Sequence, residues 1–209
     1  MAERGATRRT AGALAGAGIA GYLLGTTPSA DVAARLATGG STDLRRTGSG
    51  NPGAVTAMDA LGKAWGWGVL FADIAKGALA CVAGGRLAGP SGANLAGTAA
   101  VLGHCYPLWN GFRGGKGVAV SSGQCLATFP AYFPVDLGVA WVAGRRGGRA
   151  LPATAIASGV WVASGVLWWR RGWPNAWAPR PGPALPACAA ASSVVILLRF
   201  ASARRPPAG

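Results

Sequence analysis

Two glycine-rich loops carry most of the residues able to do chemistry in this 209-residue chain. The first reads Gly48-Ser49-Gly50-Asn51-Pro52-Gly53. Its G-x-G-x-x-G spacing is that of a dinucleotide-binding turn. That motif needs a strand before it and a βαβ unit after it, whereas here Thr42-Asp43-Leu44-Arg45-Arg46-Thr47 precedes and an apolar span follows. What survives is the physics of the loop: glycines let backbone N–H groups converge on an anion, and Ser49 and Asn51 add side-chain donors. The second loop reads Gly111-Phe112-Arg113-Gly114-Gly115-Lys116-Gly117. It is not a Walker A loop, because Lys116 is followed by Gly117 and not by Ser or Thr. A lysine among three glycines beside an arginine still offers a phosphate a compact charge and accessible amides. A helix beginning at Gly117 would add the positive end of its dipole. His104, the sole histidine, lies just upstream in Gly103-His104-Cys105-Tyr106-Pro107. The chemistry these residues suit is the binding and polarising of phosphate groups.

Plainer readings stand beside this one. Glycine-rich loops between helices are often only tight turns, and a histidine at a helix end is often a satisfied structural group. Asp73 and Lys76 are three residues apart, so one helix face holds both, and they read as a mutually neutralising pair inside a span. Cys81, Cys105, Cys125 and Cys188 form no C-x-x-C pair and have no histidine at metal-ligand spacing. Neither a metal site nor a cofactor is expected.

The elements that must position these loops are apolar. Hydrophobic residues make up 51% of the chain and charged residues only 12%, with a mean hydropathy of +0.32. Lys and Arg number 20 against 6 Asp and Glu, a net charge of +14. A basic balance of this size suggests nucleic acid, but here it is spread thinly between long apolar runs, so no nucleic-acid partner is expected. The pattern is that of an all-α, polytopic membrane protein with anionic lipid around it. Apolar segments fall at 11–30, 65–83, 92–112, 117–128, 132–144, 151–169 and 184–198, several of them shorter than the roughly 20 residues a membrane helix needs. The expectation is a bundle of about seven short transmembrane helices forming a single domain over residues 1–209. Basic residues split twelve to seven between the two sides of a seven-segment topology. Merging 117–144 into one helix would level that bias to ten against nine. The seven-segment arrangement places the N-terminus outside and both glycine loops in the cytoplasm.

Together the loops resemble the bacterial acyl-phosphate:glycerol-3-phosphate acyltransferases of the PlsY type. The resemblance runs from Gly21-Tyr22-Leu23-Leu24-Gly25-Thr26 through Asp43-Leu44-Arg45, the first loop and Leu61-Gly62-Lys63 to Asp73-Ile74-Ala75-Lys76-Gly77. It is strongest over Val101–Pro107 and Gly111–Ala119, and covers roughly the first three-fifths of the chain. It implies a seven-helix enzyme of the bacterial inner membrane, its site facing the cytoplasm, that moves a fatty acyl group from acyl phosphate to glycerol 3-phosphate in phospholipid synthesis. It implies Ser49, Lys116 and His104 as catalytic residues. Gly48, Gly50, Asn51, Gly53, Arg45, Arg113, Gly114, Gly115 and Gly117 would bind substrate. An acyl phosphate is already activated, so the protein's work is to hold two anionic substrates together and stabilise developing charge. The resemblance is incomplete. Thr56 and Asp59 stand where the family has Asn and Arg, and the family's His-Arg-Glu-Asn run after the last span has no counterpart in Leu198-Arg199-Phe200-Ala201-Ser202-Ala203-Arg204-Arg205. A catalytically silent relative that binds lipid or a partner protein is the alternative reading.

Overall fold

The computed structural model describes residues 2–48, 50–145 and 150–202. Its order is α1 (Ala2–Gly25), α2 (Ser29–Thr38), a short 3-10 turn (Leu44–Arg46), α3 (Ala54–Leu61), α4 (Lys63–Cys105), a second 3-10 turn (Leu108–Asn110), α5 (Val118–Thr128), α6 (Phe133–Arg145), α7 (Ala150–Arg171) and α8 (Ala184–Ser202). Among the described residues, three stretches are long and apolar enough to cross a membrane: α4 with its continuation to Asn110, α7 and α8. The all-α membrane architecture expected from the sequence is therefore present.

α4 is two helices in one. Ala88 and Gly89 leave helical geometry (φ −142° and +62°) immediately before Pro90. A proline there removes a backbone donor and clashes with the preceding turn, so the helix folds back instead of continuing. The two limbs, 63–87 and 90–105, lie against each other through glycine: a methyl built on Gly92 would run into the Gly84 carbonyl, and one on Gly97 would meet Cys81 Sγ at 2.6 Å. α1 uses the same device. Methyls at Gly21 and Gly25 would overlap the backbone of Ala96 and Ala100, and one at Gly103 would overlap the Tyr22 carbonyl. In lipid, where no hydrophobic effect drives helices together, such backbone-to-backbone approach supplies the packing.

Two segment boundaries differ from the sequence expectation. The first apolar run stops at Gly25, because Pro28 disfavours helix before it, and α2 starts afresh at Ser29. The 92–112 run ends at Cys105, and a 3-10 turn carries the chain into the second glycine loop. α2 and α3 were not foreseen. Ala30, Ala33 and Ala34 of α2 pack with Leu44, Ala57 and Val69, which holds both short helices against the first limb of α4. By contrast, the break between 128 and 132 falls where the seven-segment reading put it.

Polar ties cross the bundle. Ser192 Oγ donates to Gln124 Oε1 (2.8 Å), Gln124 Nε2 to Thr98 Oγ1 (3.3 Å) and Thr98 Oγ1 to the Cys188 carbonyl (3.0 Å). They link α8, α5 and the second limb of α4, and satisfy groups that lipid could not.

Candidate active site

The ends of α1, α4 and α8 and the beginning of α5 meet at one end of the bundle. Tyr22 Oη donates to the Tyr106 carbonyl (2.9 Å) and Arg199 Nη2 to the Gly114 carbonyl (2.8 Å). The second glycine loop is thus gripped from the last turns of both α1 and α8. It is also zipped onto α4, with the Gly114 and Gly115 amides donating to the Cys105 and His104 carbonyls, each at 3.1 Å. Glycine is required at both positions, since a methyl at Gly114 would overlap the His104 carbonyl and one at Gly115 the His104 ring. Gly115→Ala is expected to lower stability in detergent by about 1–3 kcal/mol, the usual range for overpacking. A thermal unfolding midpoint equal to wild type would contradict the fit described for this loop.

Below the loop lies a buried ionic cluster. Asp73 and Lys76 are 3% and 7% exposed, and Lys76 Nζ lies 2.8 Å from Asp73 Oδ1. Lys76 also donates to the Thr27 carbonyl (3.0 Å), and Ser29 Oγ donates to Asp73. His104 Nδ1 is 3.8 Å from the same Asp73 oxygen. The pair read from the sequence as self-neutralising does form. In addition it ties the α1–α2 turn to both limbs of α4.

Above it, Arg45 forms a two-pronged ion pair with Asp31 (Nη1–Oδ1 2.6 Å, Nη2–Oδ2 2.9 Å). Asn110 donates to Asp31 Oδ2 (3.1 Å), and Arg45 Nε to the Arg113 carbonyl (3.2 Å). The Asp31 hydrogen bond and charge raise the Arg45 pKa above its ordinary value, so Arg45 is always cationic. A cleft is lined by Ser29, Asp31, Arg45, Lys76, His104 and the backbone of Gly114 and Gly115, among others.

The structure brings four of the sequence-derived site residues to that cleft: Arg45, His104, Gly114 and Gly115. Ser49 lies outside the described residues. Gly48, Gly50, Asn51, Gly53, Arg113, Lys116 and Gly117 stand beside the cleft in the two loops and are not part of its wall. Gly48 and Gly50 take positive φ (+53° and +66°), as a tight anion-binding turn requires. Asn51 Oδ1 is buried with no hydrogen-bond partner among the described residues. Lys116 is half-buried, with Nζ 4.7 Å from the centre of the Phe200 ring. Gly117 (φ +85°) turns the chain into α5. Asp59 is exposed on α3, away from the cleft wall. Sequence reading missed Ser29, Asp31, Asn110 and the docking role of Arg199. Only Asp31 had a local signal, an acid in the first turn of a helix opened by Pro28 and Ser29.

Fold and site together define an all-helical integral membrane protein whose polar cleft sits where helix ends and two glycine loops meet. Comparison with known proteins narrows this. Residues 15–205 match the family described as glycerol-3-phosphate acyltransferase. A glycerol-3-phosphate acyltransferase of Cereibacter sphaeroides is 39% identical over 72% of this chain and 69% of its own. One from Dehalococcoides mccartyi is 44% identical over 56% of this chain and 64% of its own, and one from Zymomonas mobilis is 43% identical over 59% and 57%. The chain thus matches less than two thirds of the length of these last two. Crystal structures of PlsY, an integral membrane glycerol 3-phosphate acyltransferase, superpose with a TM-score of 0.73 at 27% identity for its lysophosphatidic acid form. For the glycerol 3-phosphate form the TM-score is 0.71 at 29% identity, and both cover 90% of this chain and 88% of the other. The chain belongs to the glycerol-3-phosphate acyltransferase family.

Proposed function

We propose that this protein, acting as one domain over residues 1–209, transfers a fatty acyl group from acyl phosphate to glycerol 3-phosphate at the cytoplasmic face of a bacterial inner membrane. The observation that carries this reading is the convergence of the two glycine loops at one end of the bundle. Arg45, on the approach to the first, is tied through Asp31 to Asn110 and through its Nε to Arg113 at the second. Two adjacent phosphate-suited loops are what a reaction between two phosphate-bearing substrates needs. In this reading Ser49 and Lys116 polarise the phosphates, and the Gly48–Gly53 and Arg113–Gly117 backbones cradle them. The unpartnered Asn51 Oδ1 suits a hydroxyl of the glycerol acceptor. His104 supports the second loop from beneath and lines the cleft. Asp59 is exposed on α3 and does not line the cleft. Membrane lipid surrounds the bundle and receives the product.

The test is phosphate release from a long-chain acyl phosphate by the purified protein in phospholipid vesicles, with and without glycerol 3-phosphate. Release that depends on the acceptor is expected, with 1-acylglycerol 3-phosphate as product. No acceptor-dependent release would leave the silent-relative reading in its place.

One variant probes the upper ion pair. Asp31 neutralises Arg45 and competes for it with any incoming phosphate. Asp31→Asn is therefore expected to lower KM for glycerol 3-phosphate severalfold. An unchanged or raised KM would place Arg45 away from the acceptor phosphate.

A further inference from the structure

A second cavity, mostly apolar but with Asn94, Thr128 and Arg180 on its wall, lies at the opposite end of the bundle. α5 runs from Gly117 beside the cleft to Thr128, where Asn175 Nδ2 caps its carbonyl (3.0 Å). Around this point the α4 turn, the end of α5 and the 172–183 connection border an open cavity of about 210 Å³. Its wall includes Gly89, Pro90, Asn94, Thr128, Arg180 and Gly182.

Three features give this cavity a charge pattern. Arg180 stands on its wall, and the second limb of α4 and helix α8 both begin there, at Pro90 and Ala184, presenting the positive ends of their dipoles. No acidic residue occurs in the chain between Asp73 and Asp136 or beyond Asp136, so no carboxylate side chain on the lining segments offsets that positive potential. On the other side are acceptors. Asn94 is only 7% exposed, its Nδ2 is committed to the Pro90 carbonyl (2.9 Å), and its Oδ1 has no partner among the described residues. The C-terminal end of α5, at Ala127 and Thr128, adds the negative end of a helix dipole. A buried amide oxygen with no donor loses free energy that only a ligand or water can restore. The surroundings are those of a membrane interface: Arg170 lies over the Trp169 ring (5.2 Å), Arg171 over the Trp173 ring (5.9 Å), and Trp177 is 73% exposed.

We propose that this cavity is a headgroup site for a phosphatidylethanolamine-type lipid of the leaflet opposite the active cleft. The phosphate sits at Arg180 and the two helix starts, and the ammonium donates to Asn94 Oδ1 at the α5 end. The zwitterion matches a site that is positive at Arg180 and the two helix starts and carries one unpaired acceptor, Asn94 Oδ1. Phosphatidylcholine has the same net charge but no N–H donor, so it would leave Asn94 Oδ1 unpaired.

The test uses the full-length protein in phospholipid-free detergent. Short-chain phosphatidylethanolamine, short-chain phosphatidylcholine and inorganic phosphate are titrated separately, and binding is read from the unfolding midpoint and from native mass spectrometry. Phosphatidylethanolamine is expected to bind at least about tenfold more tightly than phosphatidylcholine. Arg180→Gln, at an exposed position that leaves the fold intact, is expected to weaken phosphatidylethanolamine binding about tenfold. Asn94→Leu is expected to abolish the preference between the two lipids. Equal binding of the two lipids by the wild type, or unchanged binding by Arg180→Gln, overturns the proposal, and those two measurements decide it even if Asn94→Leu fails to fold. Inorganic phosphate binding as tightly as phosphatidylethanolamine would assign the site to a free anion and overturn it equally. None of these readouts depends on acyl transfer, so the proposal stands or falls apart from the function proposed above.

Discussion

Lys116→Ala is expected to cost at least about 10²-fold in acceptor-dependent phosphate release while leaving the unfolding temperature unchanged or slightly raised. The split follows from where Lys116 sits. It precedes Gly117 and the start of α5, where the helix dipole is already positive. A cation at that position repels the exposed amides, and acids are the residues that stabilise a helix start. The helix start therefore gains nothing from this charge, whereas a bound anion would. Packing over Phe200 holds the ammonium near the end of α8. Lys116→Arg keeps the charge but replaces a compact ammonium by a planar fork, so an intermediate rate is expected. Turnover of Lys116→Ala within a few-fold of wild type would remove the residue from the mechanism. A large fall in unfolding temperature would show that it serves the fold instead.

Asp73→Asn is expected to act in the opposite way, destabilising the protein by about 3–5 kcal/mol and lowering activity only through loss of folded material. Removing the negative charge leaves the Lys76 ammonium buried with only neutral acceptors in this cluster, the amide oxygen and the Thr27 carbonyl. It also weakens the hold of Ser29, and so the join between α2 and α4. The cost of an unpaired buried charge exceeds the value of the pair itself, so Asp73→Asn combined with Lys76→Met should recover much of the loss. Thermal unfolding of the single and double variants in detergent gives the comparison. Equal midpoints for wild type and Asp73→Asn would mean that Lys76 reaches water.

The contrast between these two lysines bears on how far the sequence could be read. Both lie in glycine-rich surroundings within an apolar chain, and only their contacts separate them. The i, i+3 spacing of Asp73 and Lys76 was enough to anticipate their pairing, because helical geometry places such residues on one face. It could not show that Ser29 and His104 converge on the same carboxylate, since those contacts cross 44 and 31 positions in the chain. Asp59 makes the point in reverse. By sequence it was a wrong-sign charge next to a phosphate loop, whereas one turn of α3 carries it to an exposed face.

By itself the sequence determined the solvent, the element type and the places where chain direction changes. Those are local properties: apolar runs too long for loops, glycine and proline punctuation, and two loops whose residue types suit phosphate. The break between α5 and α6 was legible because Pro130 and Pro134 impose it whatever packs nearby. Only the tertiary structure decided which groups share a cleft. The Asp31–Arg45–Asn110 tie, the grip of Arg199 on the Gly114 carbonyl and the cavity beside Arg180 all join segments far apart in the chain. They exist because glycine-to-backbone contacts between α1 and the two limbs of α4 set the helices at distances that side-chain pattern alone does not encode.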